Sequence, residues 1–320
     1  MQILITGAAG FIGFNLARYL LQTSDAKIIG IDSLNNYYSK KLKRDRIKKL
    51  SLYKKFSFSQ TNILDKRKLE KIFKNKKINL VINLAAQAGV RYSLEKPSEF
   101  VDNNIQGFYT LIDVAKKYKI KRIIYASSSS IYGDSKRFPL NESQNVRPKN
   151  IYALSKKINE EMADVFSRQY NISFIGLRFF TVYGEWGRPD MFMMKYLSSS
   201  YNKKINFYLN NYGKHTRDFT YILDACKIIS KLVFTKKKFN HEIFNICSNN
   251  PKKLTDIIKK INFLTQKKPK LFKRKLQKAD VVKTHGTNKK IKNFIGGQNF
   301  TSIDRGLKIT AEWFKNYYKI

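Results

Sequence analysis

Residues 1–13 read MQILITGAAGFIG. A short apolar, β-branched run (Ile3 to Thr6) passes into glycines at positions 7, 10 and 13, and an apolar helical pattern then runs from Phe11 to Gln22. A strand, a glycine turn and a helix in that order form a phosphate cradle. Glycine permits the tight turn, the close approach of a pyrophosphate and the close packing of helix on strand, while the helix N-terminus, with Phe11 and Ile12 in its first turn, supplies a positive field. The next strand, Lys27 to Asp32, ends in a carboxylate nineteen residues after Gly13. Such a carboxylate accepts hydrogen bonds from an adenosine ribose and repels a 2′-phosphate, which favours NAD over NADP.

Working outward, the alternation continues. Strands are expected at Phe56 to Ser59, Ile78 to Leu84, Lys121 to Ala126 and Ser173 to Arg178, with helices at Lys66 to Phe73, Pro97 to Tyr118 and Ile151 to about Tyr170. This order predicts an α/β fold: a doubly wound parallel sheet over residues 1–178 that holds the dinucleotide. After Arg178 the pattern loosens, with short strands at Lys204 to Leu209 and Glu242 to Ile246, so residues 179–320 are expected to form a smaller substrate-binding lobe. Part of that later chain is free to return to the sheet. No glycine- or proline-rich linker separates the halves, so they should pack as one body.

Composition narrows the function classes. With 42% hydrophobic and 14% aromatic residues the chain can bury a full core, and no apolar run is long enough to cross a membrane. The chain opens directly on a strand, without a basic-then-apolar leader, which points to the cytoplasm. Cys226 and Cys247 lie in apolar surroundings, and His215, His241 and His285 are far apart, so neither a disulfide nor a metal is expected. The formal charge of +40 is spread from KKLKRDRIKK (40–49) through KNKK (74–77) and KKK (236–238) to KPKLFKRK (268–275), with no motif to organise it. Lysine, asparagine, isoleucine and phenylalanine are abundant together, as an A+T-rich coding sequence would produce. The charge therefore reads as a solvated surface, and no nucleic-acid partner is expected.

The reactive groups stand downstream. YASSSSIYGD (125–134) puts four hydroxyls at the end of an apolar strand, where ligands bind in open α/β sheets, and Y152-A-L-S-K156 follows. Residues four apart on a helix share a face, so the Lys156 ammonium can favour the phenolate of Tyr152 and make it a general base. Tyr37 and Lys41 have the same spacing but lack the serine-bearing strand end.

GAAGFIG, the serine before IYGD, and YALSK together resemble the extended short-chain dehydrogenase/reductase superfamily, whose sheet is the Rossmann type. NLAAQAGVRYS (83–93), FFTVYGEWGRPDM (179–191) and RDFTYILDA (217–225) resemble more closely the UDP-glucuronate 4-epimerases, over nearly the whole chain. The resemblance implies a catalytic triad of Ser128, Tyr152 and Lys156. It also implies NAD contacts from Gly7, Gly10, Gly13, Asp32, Asn62, Ile63, Leu84, Ala85, Ala86 and Asn104. A UDP-sugar would be held by Arg91, Ser128, Ser129, Ser130, Thr181, Arg188 and Arg217, in a homodimer paired through helices of the dinucleotide half. Relatives that dehydrate the sugar carry aspartate and glutamate where Ser129 and Ser130 stand, and related decarboxylases carry a glutamate in this turn. Two more hydroxyls suit a site that restrains a sugar carboxylate, with the planar fork of Arg188 as a second grip. The departures are Asn62, where the family has an aspartate against adenine; Glu185, which adds a negative charge beside the expected carboxylate site; and 280–290, a loose match. A 4-epimerase of another UDP-hexose, a UDP-glucuronate decarboxylase and a non-catalytic NAD-sensing module stay open.

Overall fold

The structure, a computed structural model, describes all 320 residues. Strand β1 (Gln2–Thr6) feeds α1 (Phe11–Thr23), β2 (Lys27–Asp32), α2 (Lys40–Leu50), β3 (Phe56–Gln60), α3 (Lys66–Asn75) and β4 (Leu80–Asn83). Two single turns, α4 (Tyr92–Glu95) and α5 (Pro97–Phe100), lead through a π-helical turn at Val101–Gln106 into α6 (Gly107–Lys117), β5 (Arg122–Ser128), α7 (Ile151–Tyr170) and β6 (Ser173–Phe179). The second half carries β7 (Thr181–Tyr183), α8 (Phe192–Tyr201), β8 (Phe207–Asn210), β9 (Thr216–Tyr221), α9 (Ile222–Val233), β10 (His241–Ile246), β11 (Pro251–Lys253), α10 (Leu254–Thr265), β12 (Leu271–Arg274), α11 (Lys289–Ile295) and α12 (Ile303–Tyr318).

Seven parallel strands form the main sheet in the order β10-β6-β5-β4-β1-β2-β3. Strand β1 sits beside both β2 and β4, so the order reverses there and opens a crevice at the C-terminal strand ends. Strands β1 and β4 are apolar and buried on both faces, as expected of a sheet covered by helices on each side. The strand expected at Glu242 to Ile246 is the sheet's outer edge, paired with β6. Helix α9, just before it, packs on α1. Later chain thus returns to the sheet after the lobe has begun. The lobe itself holds a three-stranded sheet (β11-β9-β7) and the parallel pair β12-β8.

Two local expectations need correction. The helix expected to run unbroken over Pro97–Tyr118 is interrupted by the π-turn, which inserts one residue per turn and redirects Asn104. The charged run at 40–49, read as solvated surface, is α2. Its N-cap Ser39 accepts a bond from the Leu42 amide (3.3 Å), and Leu42, Arg46 and Leu50, four residues apart, are all buried.

Candidate active site

A cavity of about 430 Å³ lies at the crevice between the sheet and the lobe. Its phosphate end is backbone. Gly7 adopts φ +69°, and a Cβ there would stand 2.8 Å from the Ala85 nitrogen; a Cβ on Gly13 would come within 2.1 Å of the Gly7 carbonyl oxygen. Only glycine fits either position. Helix α1 starts without a side-chain cap, so its first-turn amides are left for a ligand at the cavity wall formed by Gly10, Phe11, Ile12 and Gly13.

Asp32 closes this end. Its carboxylate accepts bonds from the amides of Ala9 (3.1 Å) and Leu34 (2.8 Å). Burial lifts its pKa above the usual carboxylate value, against the pull of those amides and of Lys43. Asn62, Ile63, Leu84, Ala85 and Ala86 also line the cavity. A glycine cradle, an open helix terminus and a half-buried carboxylate at the cavity wall fit a dinucleotide.

Asn104 does not line the cavity. It is buried behind it, where its amide donates to the Gln87 carbonyl (3.0 Å) and Ser155 Oγ (2.9 Å) and accepts from the Gln87 amide (2.7 Å). It therefore holds the loop after β4, because the π-turn directs it toward that backbone.

The reactive end gathers Ser128, Ser129, Ser130, Tyr152, Lys156 and Thr181. Ser128 ends β5 and caps the one-turn 3-10 helix Ser129–Tyr132, its Oγ accepting from the Ser130 amide at 3.1 Å. Lys156 is 2% exposed and donates to the Ala126 carbonyl at 2.9 Å. Burial lowers its pKa to about 8. Tyr152, one turn earlier, sets its ring edge-on to Phe100, with centroids 6.0 Å apart.

Among the arginines, Arg217 lines the cavity and donates only to carbonyls, those of Thr216 (2.9 Å), Val281 (2.6 Å) and Val282 (2.9 Å). Burial lowers its pKa to about 10, although the nearby Asp280 charge pulls the other way. A cation so placed at the cavity wall is able to meet an anionic group. Arg188 also lines the cavity, but its fork is occupied: Nε and Nη2 donate to the two oxygens of Asp190 at 3.0 and 2.5 Å, and Tyr37 donates to the same carboxylate at 3.1 Å. The free bidentate grip expected of Arg188 is taken by an acid two residues along the chain. Arg91 does not line the cavity; its half-exposed guanidinium pairs with Asp280 (3.1 and 2.6 Å), a carboxylate that does. Glu185 also faces elsewhere, accepting from the Tyr221 hydroxyl at 2.7 Å, so its charge lies off the serine turn.

Sequence reasoning missed Lys43, Asn35 and Arg46. Lys43 lines the cavity, donates to Asn35 Oδ1 (2.6 Å) and its carbonyl (2.8 Å), and is lowered by burial to about 8. Arg46, fully buried, donates to the carbonyls of Ala9 (2.7 Å) and Trp186 (2.5 Å) and so ties the glycine turn to the turn carrying Arg188. The signal was the four-residue spacing of Leu42, Arg46 and Leu50, hidden in a lysine-rich run.

A seven-stranded doubly wound sheet with a glycine cradle at its crevice defines a dinucleotide-binding protein of the Rossmann class. Residues 3–247 match the model of the NAD dependent epimerase/dehydratase family, and the chain belongs to that family. A UDP-glucuronate 4-epimerase of Thermodesulfobacterium geofontis is 36% identical over 98% of this chain and 95% of its own. An uncharacterized protein of Methanocaldococcus jannaschii is 42% identical over 98% and 96%. The crystal structure of the UDP-glucuronic acid 4-epimerase from Bacillus cereus, in complex with UDP-glucuronic acid and NAD, superposes with a TM-score of 0.93 at 30% identity, covering 99% of this chain and all of the other.

Proposed function

We propose that this chain is a redox-neutral 4-epimerase that interconverts UDP-glucuronate and UDP-galacturonate through a 4-keto sugar. The observation that carries the reading is the serine turn. Ser128, Ser129 and Ser130 stand at one strand end with Tyr152 and Lys156, and no carboxylate occupies the turn.

Tyr152, as phenolate, takes the proton from the sugar 4-hydroxyl, while the Ser128 hydroxyl donates a hydrogen bond to the same oxygen. Lys156 favours the phenolate by its charge. NAD, when bound, takes up the hydride from C4 and returns it to the other face of the ring. Arg217 holds the diphosphate while the ring turns, and Ser129, Ser130 and Thr181 donate to the sugar carboxylate. That restraint matters because a β-keto acid loses carbon dioxide when the breaking bond aligns with the carbonyl π system. Arg188, paired with Asp190, supports the carboxylate by exchanging partners rather than by an empty fork.

Residues 1–178, with the returning α9 and β10, hold the cofactor, and the remaining lobe holds the nucleotide sugar. Leu154 and Val165, about three turns apart on one side of α7, are exposed apolar side chains, a face suited to a second copy of the chain. No helix is long and apolar enough to cross a membrane. Apart from the buried Lys43 and Arg46 of α2, the distributed positive charge reads as a solvated surface with no nucleic-acid partner. Proton NMR of the protein with UDP-glucuronate tests the reading: UDP-galacturonate signals without added reductant are expected, and UDP-pentose as the sole product would replace epimerisation by decarboxylation.

A further inference from the structure

Behind the serine turn lies a buried ion pair that takes no part in the steps above. Glu160 is on α7, at the end of the series Tyr152, Lys156, Glu160 that places one residue per turn on the same helix face. Its carboxylate receives a two-pronged bond from Arg178 on β6 (2.9 and 2.8 Å), with both side chains no more than 5% exposed. Ser127, the cross-strand neighbour of Arg178, donates its hydroxyl to the same carboxylate at 2.5 Å. The remaining arm of Arg178 donates to the Tyr132 hydroxyl at 2.9 Å. Ser127 immediately precedes the serine turn, and Tyr132 ends it.

We propose that the Glu160–Arg178 pair is a positioning unit that fixes Ser128 to Ser130 against the Tyr152 helix and thereby sets whether the 4-keto sugar is epimerised or decarboxylated. The argument is geometric. One buried pair clamps Ser127 and Tyr132, on either side of residues 128–131, and also sits on the helix that carries the base; trimming only those two outer bonds lets the hydroxyls drift while the pair itself still anchors the helix. A buried pair with every partner satisfied is a rigid reference of this kind. In the failed outcome the C5–C6 bond breaks, its electron pair enters the C4–C5 enolate, carbon dioxide leaves, C5 takes a proton from solvent, and the hydride then returns to C4. No outside oxidant or reductant is consumed.

The inference rests on the proposed epimerase reading. The test avoids leaving a buried charge unpaired, which would unfold the chain, and instead trims the clamp's outer bonds with Ser127→Ala and Tyr132→Phe. Ile261→Val, in a buried position of α10 in the other lobe, controls for general loosening. Products from UDP-glucuronate are quantified by NMR alongside KM and kcat. The UDP-pentose to UDP-galacturonate ratio is expected to rise on the order of tenfold in both clamp variants, as a relative barrier change of about 1.4 kcal/mol gives. KM should stay within about twofold and the control should keep the parent ratio. Clamp variants that lose kcat but keep the parent ratio overturn the positioning role, while a parent enzyme that makes no UDP-galacturonate refutes the epimerase reading itself and this proposal with it.

Discussion

Replacing Asp190 by asparagine tests how the lobe manages its cation. In the parent, Asp190 receives both arms of Arg188 and the Tyr37 hydroxyl. Burial pushes the Asp190 carboxyl up, but the Arg188 charge and these hydrogen bonds outweigh it and hold its pKa below the usual value. Breaking a fully buried pair at one partner costs about 3–5 kcal/mol and an exposed one about 0–1. The two side chains are 22% and 26% exposed, between those limits. Asp190→Asn is therefore expected to lower unfolding stability at pH 7 by about 2–3 kcal/mol, read from urea midpoints at constant slope. The sign with pH follows from the depressed pKa: the pair's contribution is present above the unfolded value of about 3.9 and is lost as pH falls through the folded one, so parent and variant should converge in acid. With no internal carboxylate to displace, Arg188 should also bind the sugar carboxylate better, and KM for UDP-glucuronate should fall by about tenfold, or about 1.4 kcal/mol, while KM for UDP-glucose does not move. Unchanged stability at pH 7 together with an unchanged or raised KM for UDP-glucuronate would refute the partner-exchange argument.

Other outcomes are open to measurement. Lys156, lowered by burial to about 8, should give kcat/KM an alkaline limb near pH 8, where loss of its proton removes the positive charge at the reactive end of the cavity; a flat profile to pH 10 would contradict it. Arg217→Met removes a half-buried cation and the donors to the carbonyls of Thr216, Val281 and Val282, so urea unfolding should show a loss of about 1–3 kcal/mol, while calorimetry shows UDP binding weakened by at least about tenfold. Arg46→Met leaves the buried carbonyls of Ala9 and Trp186 without donors, at about 1–3 kcal/mol each, and should lower the melting temperature and the NAD retained after gel filtration. Tyr152→Phe should keep NAD and lose turnover of UDP-glucuronate; full activity would remove Tyr152 as the base.

The sheet was legible because its determinants are local. An apolar run, glycines three apart and a carboxylate at the next strand end specify β1, α1 and β2 without reference to the rest of the chain. Helix α7 was legible to its last residue, since Asn150 caps it, accepting from the Ala153 amide, and a left-handed Asn171 ends it. What stayed hidden depends on partners distant in sequence. Arg46 looks like any basic residue until Trp186 and Ala9 are folded onto it. Arg91 looks like a ligand contact until Asp280 arrives from the other end of the chain. Arg188 is a different case, for its partner lies two residues away, but the sequence does not say that the chain folds the two side chains onto each other. Serine clusters announce a strand end, yet Ser127 gives no hint that its hydroxyl belongs to a buried acid 33 residues on.

The return of β10 and α9 to the sheet has a mechanical side. The chain passes from sheet to lobe at Phe179–Thr181, back at Tyr221–Ile222, and out again at Ile246–Pro251. A lobe hung from a single tether could swing wide and spill a half-reacted sugar, whereas one laced to its base at several seams can only breathe. For a reaction whose intermediate must turn over without escaping, containment is then a property of the threading as much as of any side chain.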